Sequence, residues 1–396
     1  MSSNTGLFQA YGALLFSALV RELPASGSST LLAYPNSHAA IVAGSHSSLV
    51  MPKEAKRQWR ASRGEAAEED EAADDEEIDR LTAGDAYLFP VLGSAVLVSL
   101  FLAFKYLGKD LINMVLGYYF VLVGTGGVAR MIAVFVKATQ SERRWKAMSK
   151  WNLALKKNAV ECSSLSFNSV DVGSILGAIF LSIVTRLYPH WTASNFIALS
   201  LSFNAISLLR IDSFWTGSAL LSGLFLYDIW WVFGTNVMVL VARDFDAPIK
   251  IVWPKEMGSS SGFTLLGLGD IVLPGVFIAL CLRFDYSNAL RLSPPPKPSS
   301  AFRRPYFTTC FIAYISGLVA TIYVMHTFKA AQPALLYLSP ACILSVIGCA
   351  YVRGELPLLW AYDDGANDEK KEHGKKERGE DSKRPLYQRG RPGKNI

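Results

Sequence analysis

Residues 214–283 read FWTGSALLSGLFLYDIWWVFGTNVMVLVARDFDAPIKIVWPKEMGSSSGFTLLGLGDIVLPGVFIALCLR. Two apolar runs, 214–242 and 262–282, flank a polar connection. Each is long enough to cross a bilayer, for which about 20 apolar residues suffice. Each carries a carboxylate near its middle, Asp228 in the first and Asp270 in the second. At about 1.5 Å of rise per helical residue, Asp228 lies about 21 Å from either end of its run. An antiparallel hairpin of the two spans then brings both carboxylates to one depth. An ionisable group at the centre of a span costs several kcal/mol unless it is paired or wet. Gly267 and Gly269 precede the second Asp, and small residues let helices approach closely. Two carboxyls that close can share one proton. One protonated and one ionised partner is the equipment for activating water against an amide. Read from the residues alone, three uses stay open: a protease, a proton relay in a transporter, and a polar contact between helices.

Tyr227-Asp228, Gly267-Leu268-Gly269-Asp270 and, later, Gln332-Pro333-Ala334-Leu335 resemble the three signatures of the intramembrane aspartyl proteases, the family of presenilins and signal peptide peptidases. The flanking text, LLSGLFLYDIWWVFGTNVMV and LLGLGDIVLPGVFIALCLRFD, is similar to the signal peptide peptidase branch, and the resemblance covers residues 86–354. It implies an all-α polytopic membrane protein of about nine transmembrane helices, with the active site between the sixth and the seventh. It also implies an aspartic endopeptidase that cleaves signal-peptide remnants and other single-span segments inside the membrane of the endoplasmic reticulum. Asp228 and Asp270 are then the catalytic pair, and Tyr227, Gly267 and Gly269 support the site. Gln332, Pro333, Ala334 and Leu335 support the active conformation and contact substrate. The implied partners are transmembrane peptides such as cleaved signal peptides, the lipid bilayer, and a second copy of the chain or quality-control proteins of the endoplasmic reticulum. No cofactor, metal or nucleic acid is expected. Two rivals are a proton-coupled transporter built on the same Asp pair and a non-catalytic binder of misfolded membrane segments. Transporters often show inverted repeats, and no repeat is apparent here.

The composition agrees with a membrane protein. Of the 396 residues, 51% are hydrophobic, more than a soluble chain can cover with polar surface. The five cysteines form no framework and include no CxxC; four lie in apolar runs, where thiols act as small hydrophobes. The five histidines include no HExxH, which leaves a metalloprotease unsupported. No Asp-Thr-Gly or Asp-Ser-Gly is present, against a soluble pepsin-like enzyme. Gly258-Ser-Ser-Ser-Gly262 satisfies GxSxG literally but joins two spans, so it reads as linker.

Along the chain, residues 1–50 hold a first span whose two apolar parts, 10–20 and 41–49, are separated by a Ser-, Pro- and Gly-rich stretch, 21–40, read as an insertion or a gene-model error. Residues 51–84 are charged, basic then acidic, and read as a disordered cytosolic tether. Residues 85–212 form an N-terminal transmembrane bundle, 213–354 the catalytic region, and 355–396 a disordered cytosolic tail. Arg130 is expected to snorkel to the interface, and His190 to be an interface residue rather than a ligand. Asp244, Asp246 and Asp285, at the ends of spans, are expected to be solvated. Basic residues gather on one side, in 137–171, 283–305 and the tail. By the positive-inside rule that side is cytosolic, with the N-terminus luminal and the C-terminus cytosolic. The chain end carries no KDEL and no terminal dilysine, so residence in the endoplasmic reticulum rests on the resemblance.

Overall fold

The apolar runs become helices and the polar breaks between them become caps and turns. The computed structural model describes residues 34–62, 80–140, 150–157, 160–188, 190–235, 237, 241, 250–254, 263–292, 295–298, 300–328 and 332–364. In chain order the helices are α1 (Tyr34–Ser47), α2 (Lys53–Ala61), α3 (Ala83–Tyr106), α4 (Lys109–Thr139), α5 (Ser169–Leu187), α6 (Trp191–Leu208), α7 (Phe214–Phe233), α8 (Gly269–Ala289), α9 (Pro305–Phe328), α10 (Leu335–Arg353) and the short α11 (Leu356–Trp360). Three two-stranded pairs interrupt them. β1 (Arg80–Leu81) runs parallel to β4 (Arg210–Ile211). β2 (Lys150–Lys157) and β3 (Val160–Asn168) form one antiparallel hairpin, and β5 (Lys250–Pro254) and β6 (Phe263–Gly267) another. Among the described residues, six helices, α3, α4, α5, α7, α9 and α10, are long and apolar enough to cross a membrane. The chain is an all-α polytopic membrane protein.

The helix starts follow local chemistry. Thr82 and Asp85 make a reciprocal capping box at α3, and Asn168 and Asp171 make one at α5. The Ser213 hydroxyl accepts the Thr216 N–H at 3.2 Å and caps α7. His190 is exposed and caps α6 through its ring nitrogen. Gly354, at φ +67°, ends α10 in the left-handed conformation that glycine adopts without penalty.

α8 is the axis of the bundle. Residues 276–286 are all buried, packed among α1, α6, α7, α9 and α10. Residues 271–282 are apolar on every face, and such a helix belongs inside. Glycine permits its closest approaches. A Cβ at Gly275 would fall 2.6 Å from Ile206 Cδ1 on α6, and one at Gly217 of α7 would fall 2.7 Å from Phe277 Cδ2.

Several boundaries differ from the sequence reading. Residues 34–40, placed in the insertion, are the first half of α1, with Ala39 and Ala40 buried. Ala39 and Ala40 are small, and α1 packs against α6 and α8, which hydropathy along one stretch of sequence does not reveal. The tether is structured at both ends. Residues 53–61 form α2, with Ala55 buried and the Lys297 ammonium 3.9 Å from the Trp59 ring centre, and β1 pairs with β4. Residues 355–364, assigned to the tail, are folded onto the bundle through α11 and a bridge from Asp363 to Ser213. Arg130 turns inward, donating to Asn204 Oδ1 at 3.0 Å and Ser207 Oγ at 2.9 Å. Asp285 is buried rather than solvated and accepts the Phe307 N–H at 2.8 Å and the Tyr306 N–H at 3.4 Å. The opening turn of α9 has spare N–H groups, and a carboxylate there satisfies them. Residues 1–33, the acidic run 65–79, Asp244, Asp246, Gly258–Gly262 and the tail beyond 364 lie outside the described residues.

Candidate active site

Asp228 is the fifteenth of the 20 residues of α7, and Asp270 is the second of the 21 residues of α8. The sequence reading placed Asp270 mid-span. Instead the apolar run 262–282 is divided: Phe263–Gly267 is strand β6, and the helix starts only at Gly269. Two glycines within three residues disfavour helix, and Phe263 and Thr264 favour strand. α7 and α8, which carry the two carboxylates, pack against each other. Asp228 is 5% exposed, and Asp270 is partly buried.

α10 brings the third motif to this pair. Its first residue, Leu335, is buried, and α10 packs against α7 and α8. The N–H groups of an opening helical turn have no partner within the helix and carry its positive dipole end. Leu336 N–H and Leu338 N–H return to the carbonyls of Pro333 and Ala334. Pro333 is buried and fixes the chain just before the helix. Gln332 is partly buried on the approach to it.

The two glycines before Asp270 are not equivalent. A Cβ at Gly267 would stand 3.3 Å from Asp270 Oδ2, whereas one at Gly269 would meet only Leu273 Cδ1 at 4.0 Å. Tyr227 turns its ring toward α3, where a Cβ at Gly93 would lie 3.6 Å from it, and stands 6.3 Å from the ring of Trp231. Trp231 in turn donates its indole N–H to Ser94 Oγ at 3.1 Å. Tyr227 therefore joins α7 to α3 beside the site. Trp230 and Phe233 are exposed on the outside of the bundle.

Two neighbours of Asp270 were not read from the sequence. Pro274 has no N–H to give the Asp270 carbonyl four residues earlier, and the Tyr314 hydroxyl of α9 reaches that oxygen at 3.5 Å, a long contact. The sequence signal was a proline four residues after the Asp; its partner on another helix had none. The second neighbour is the β5–β6 pair, whose last residue, Gly267, hands the chain directly to α8.

The described residues thus hold membrane-scale helices, with two carboxylates carried on helices that pack together. Residues 73–366 match the family model described as signal peptide peptidase. The chain is 39% identical over 297 residues to the signal peptide peptidase of Homo sapiens, covering 72% of this chain and 74% of that protein. The Mus musculus protein of the same name matches at the same identity and coverage. Intramembrane protease 2 of Caenorhabditis elegans is 42% identical over 229 residues, 56% of this chain and 49% of that protein. The chain therefore belongs to the signal peptide peptidase family, and with it to the intramembrane endopeptidases.

Proposed function

We propose that this intramembrane endopeptidase is of the aspartic type, with Asp228 and Asp270 as one acid–base pair acting on a water molecule. The observation that carries the reading is that Asp228 is buried in a bundle where its helix α7, the Asp270 helix α8 and the third-motif helix α10 all pack on one another. The ionised carboxylate takes a proton from water while the water oxygen attacks the scissile carbonyl carbon. The protonated carboxyl gives its proton to the carbonyl oxygen. The tetrahedral diol then collapses: its C–N bond breaks, the carboxyl that took the water proton passes it to the leaving amine, and the other, now ionised, takes a hydroxyl proton of the diol as the new carbonyl forms. The pair titrates as a unit, so neither Asp owns one role.

A helical substrate hides its scissile carbonyl in an i to i−4 bond and must unwind first. The β5–β6 pair, placed just before Asp270, offers edge backbone groups to which an unwound stretch can add as a strand. Gln332, Pro333, Ala334 and Leu335 line the same approach. The substrates are signal-peptide remnants and other single-span segments, in the membrane of the endoplasmic reticulum. Nine crossings, counting α1, α6 and α8 with the six apolar helices, put Asp228 on the sixth and Asp270 on the seventh, with the N-terminus luminal and the C-terminus cytosolic. A second copy of the chain or quality-control proteins would be its companions there.

The test is cleavage of a labelled signal peptide by detergent-purified protein, with and without a transition-state mimic bearing a hydroxyl in place of the scissile carbonyl. Cleavage blocked by the mimic supports the aspartic reading; cleavage blocked only by chelators or serine-directed reagents overturns it.

A further inference from the structure

The segment after α10 doubles back on the bundle and grips both Asp-bearing helices. The Arg283 guanidinium of α8 lies 2.8 Å from Asp364 Oδ2 through Nε, with the two side chains 5% and 14% exposed. Asp364 also accepts the Tyr362 hydroxyl at 2.9 Å, and its own N–H donates to the Asp212 carbonyl at 2.8 Å. Asp363 bridges Ser213, the cap of α7. The Tyr362 ring stands 6.0 Å from that of Phe214 on α7 and 5.1 Å from that of Phe284 on α8. One short strap thus touches the start of α7 and the far part of α8.

Those two attachment points are remote from the chemistry by similar lengths. Ser213 precedes Asp228 by 15 residues and Arg283 follows Asp270 by 13, about 22 Å and 20 Å along their helices. α7 packs directly on α8 between the strap and the carboxylates: Gly217 against Phe277, and Phe214 against Phe277 and Phe284. α10 packs against both helices. A small change of angle at the strap end is magnified along two rigid helices before it reaches the pair. A misplacement of about 1 Å costs about 10²-fold in rate.

We propose that residues 355–364 are a clamp that sets the alignment of Asp228 with Asp270, and that Arg283, Tyr362 and Asp364 are positioning residues for proteolysis. The proposal rests on the aspartic reading of the site.

Four proteins test it: the chain ended after Asp364, the chain ended after Ala361, Asp364→Asn, and Ser213→Cys/Asp363→Cys in the Asp364→Asn background. Antiparallel bridged residues lie within disulfide range, so the last variant can be locked by oxidation. Ending after Asp364 should leave kcat within twofold. Ending after Ala361, or Asp364→Asn, should lower kcat at least tenfold with KM within twofold, and should weaken binding of the hydroxyl mimic in parallel. Oxidising the cysteine pair should restore kcat, and reduction should remove it again; comparing two states of one protein excludes general misfolding. A wild-type kcat in Asp364→Asn, or an oxidised pair that restores nothing, overturns the clamp. Asp270→Ala is assayed alongside. Cleavage by that variant overturns the aspartic reading separately, while the kcat of the strap variants still decides the clamp.

Discussion

Gly267 leaves room for Asp270: a Cβ at the glycine would stand 3.3 Å from the carboxylate Oδ2. That gap separates two glycines that look alike in the sequence. Gly267→Ala should push the carboxylate by a few tenths of an ångström and lower kcat at least tenfold, about 1.4 kcal/mol in the barrier. Gly269→Ala, facing only Leu273 at 4.0 Å, should keep kcat within threefold. Rates of both variants on one labelled substrate decide it; equal losses would remove the steric explanation.

Asp228→Ala and Asp270→Ala should each abolish cleavage while leaving the protein folded in detergent. Removing either carboxyl leaves no partner to exchange the proton with. Thermal unfolding of each variant is the control, and its melting temperature should not fall, since an ionisable group in a span is itself costly.

Asp285 stands 15 residues beyond Asp270 on α8 and holds the first turn of α9 rather than substrate. Asp285→Ala strips two N–H groups of their buried acceptor and should destabilise the fold by about 2 kcal/mol. The loss should appear as a lower melting temperature. Below that temperature, KM should be unchanged.

Deleting residues 21–40 should destabilise the protein, because α1 begins at Tyr34 and Ala39 and Ala40 pack in the core. Deleting residues 21–33 should leave the melting temperature within a few degrees of the full chain. If the longer deletion is as stable as the shorter, the α1 register is wrong.

Glu355 links the end of α10 to α9, accepting Arg353 at 3.0 and 3.1 Å and the Tyr306 hydroxyl at 2.7 Å. The Arg353 hydrogen bonds, with help from Tyr306, hold its carboxyl below the usual glutamate value. A lowered value means that the ionised form stabilises the fold. That stability is present above the unfolded glutamate value and is lost as pH falls through the folded one. Both groups are substantially solvated, so the contribution is at most about 1 kcal/mol. Melting curves from pH 7 down to pH 4 should show a shallower acid branch in Glu355→Gln than in the parent.

The sequence by itself determined the class of fold and singled out the two candidate carboxylates. Apolar runs of span length dictate helices, because a backbone in lipid must satisfy its own hydrogen bonds. A carboxylate in such a run is costly enough to be noticed wherever it falls, and Asp228 and Asp270 stood out for that reason. What sequence could not give was the set of contacts between elements far apart in the chain. The division of the Asp270 run into β6 and α8 depends on pairing with β5, a partner outside the run. The placement of the third motif depends on the packing of α10 against α7, whose Asp228 lies 107 residues before Leu335. Asp364 read as tail because the apolar stretch before it, Leu356–Trp360, is far too short to span a bilayer; it is held by Arg283, and a buried ion pair is decided by geometry and desolvation together. Local energies wrote the helices into the sequence, and only the packing of one helix end against another decided which polar groups face each other.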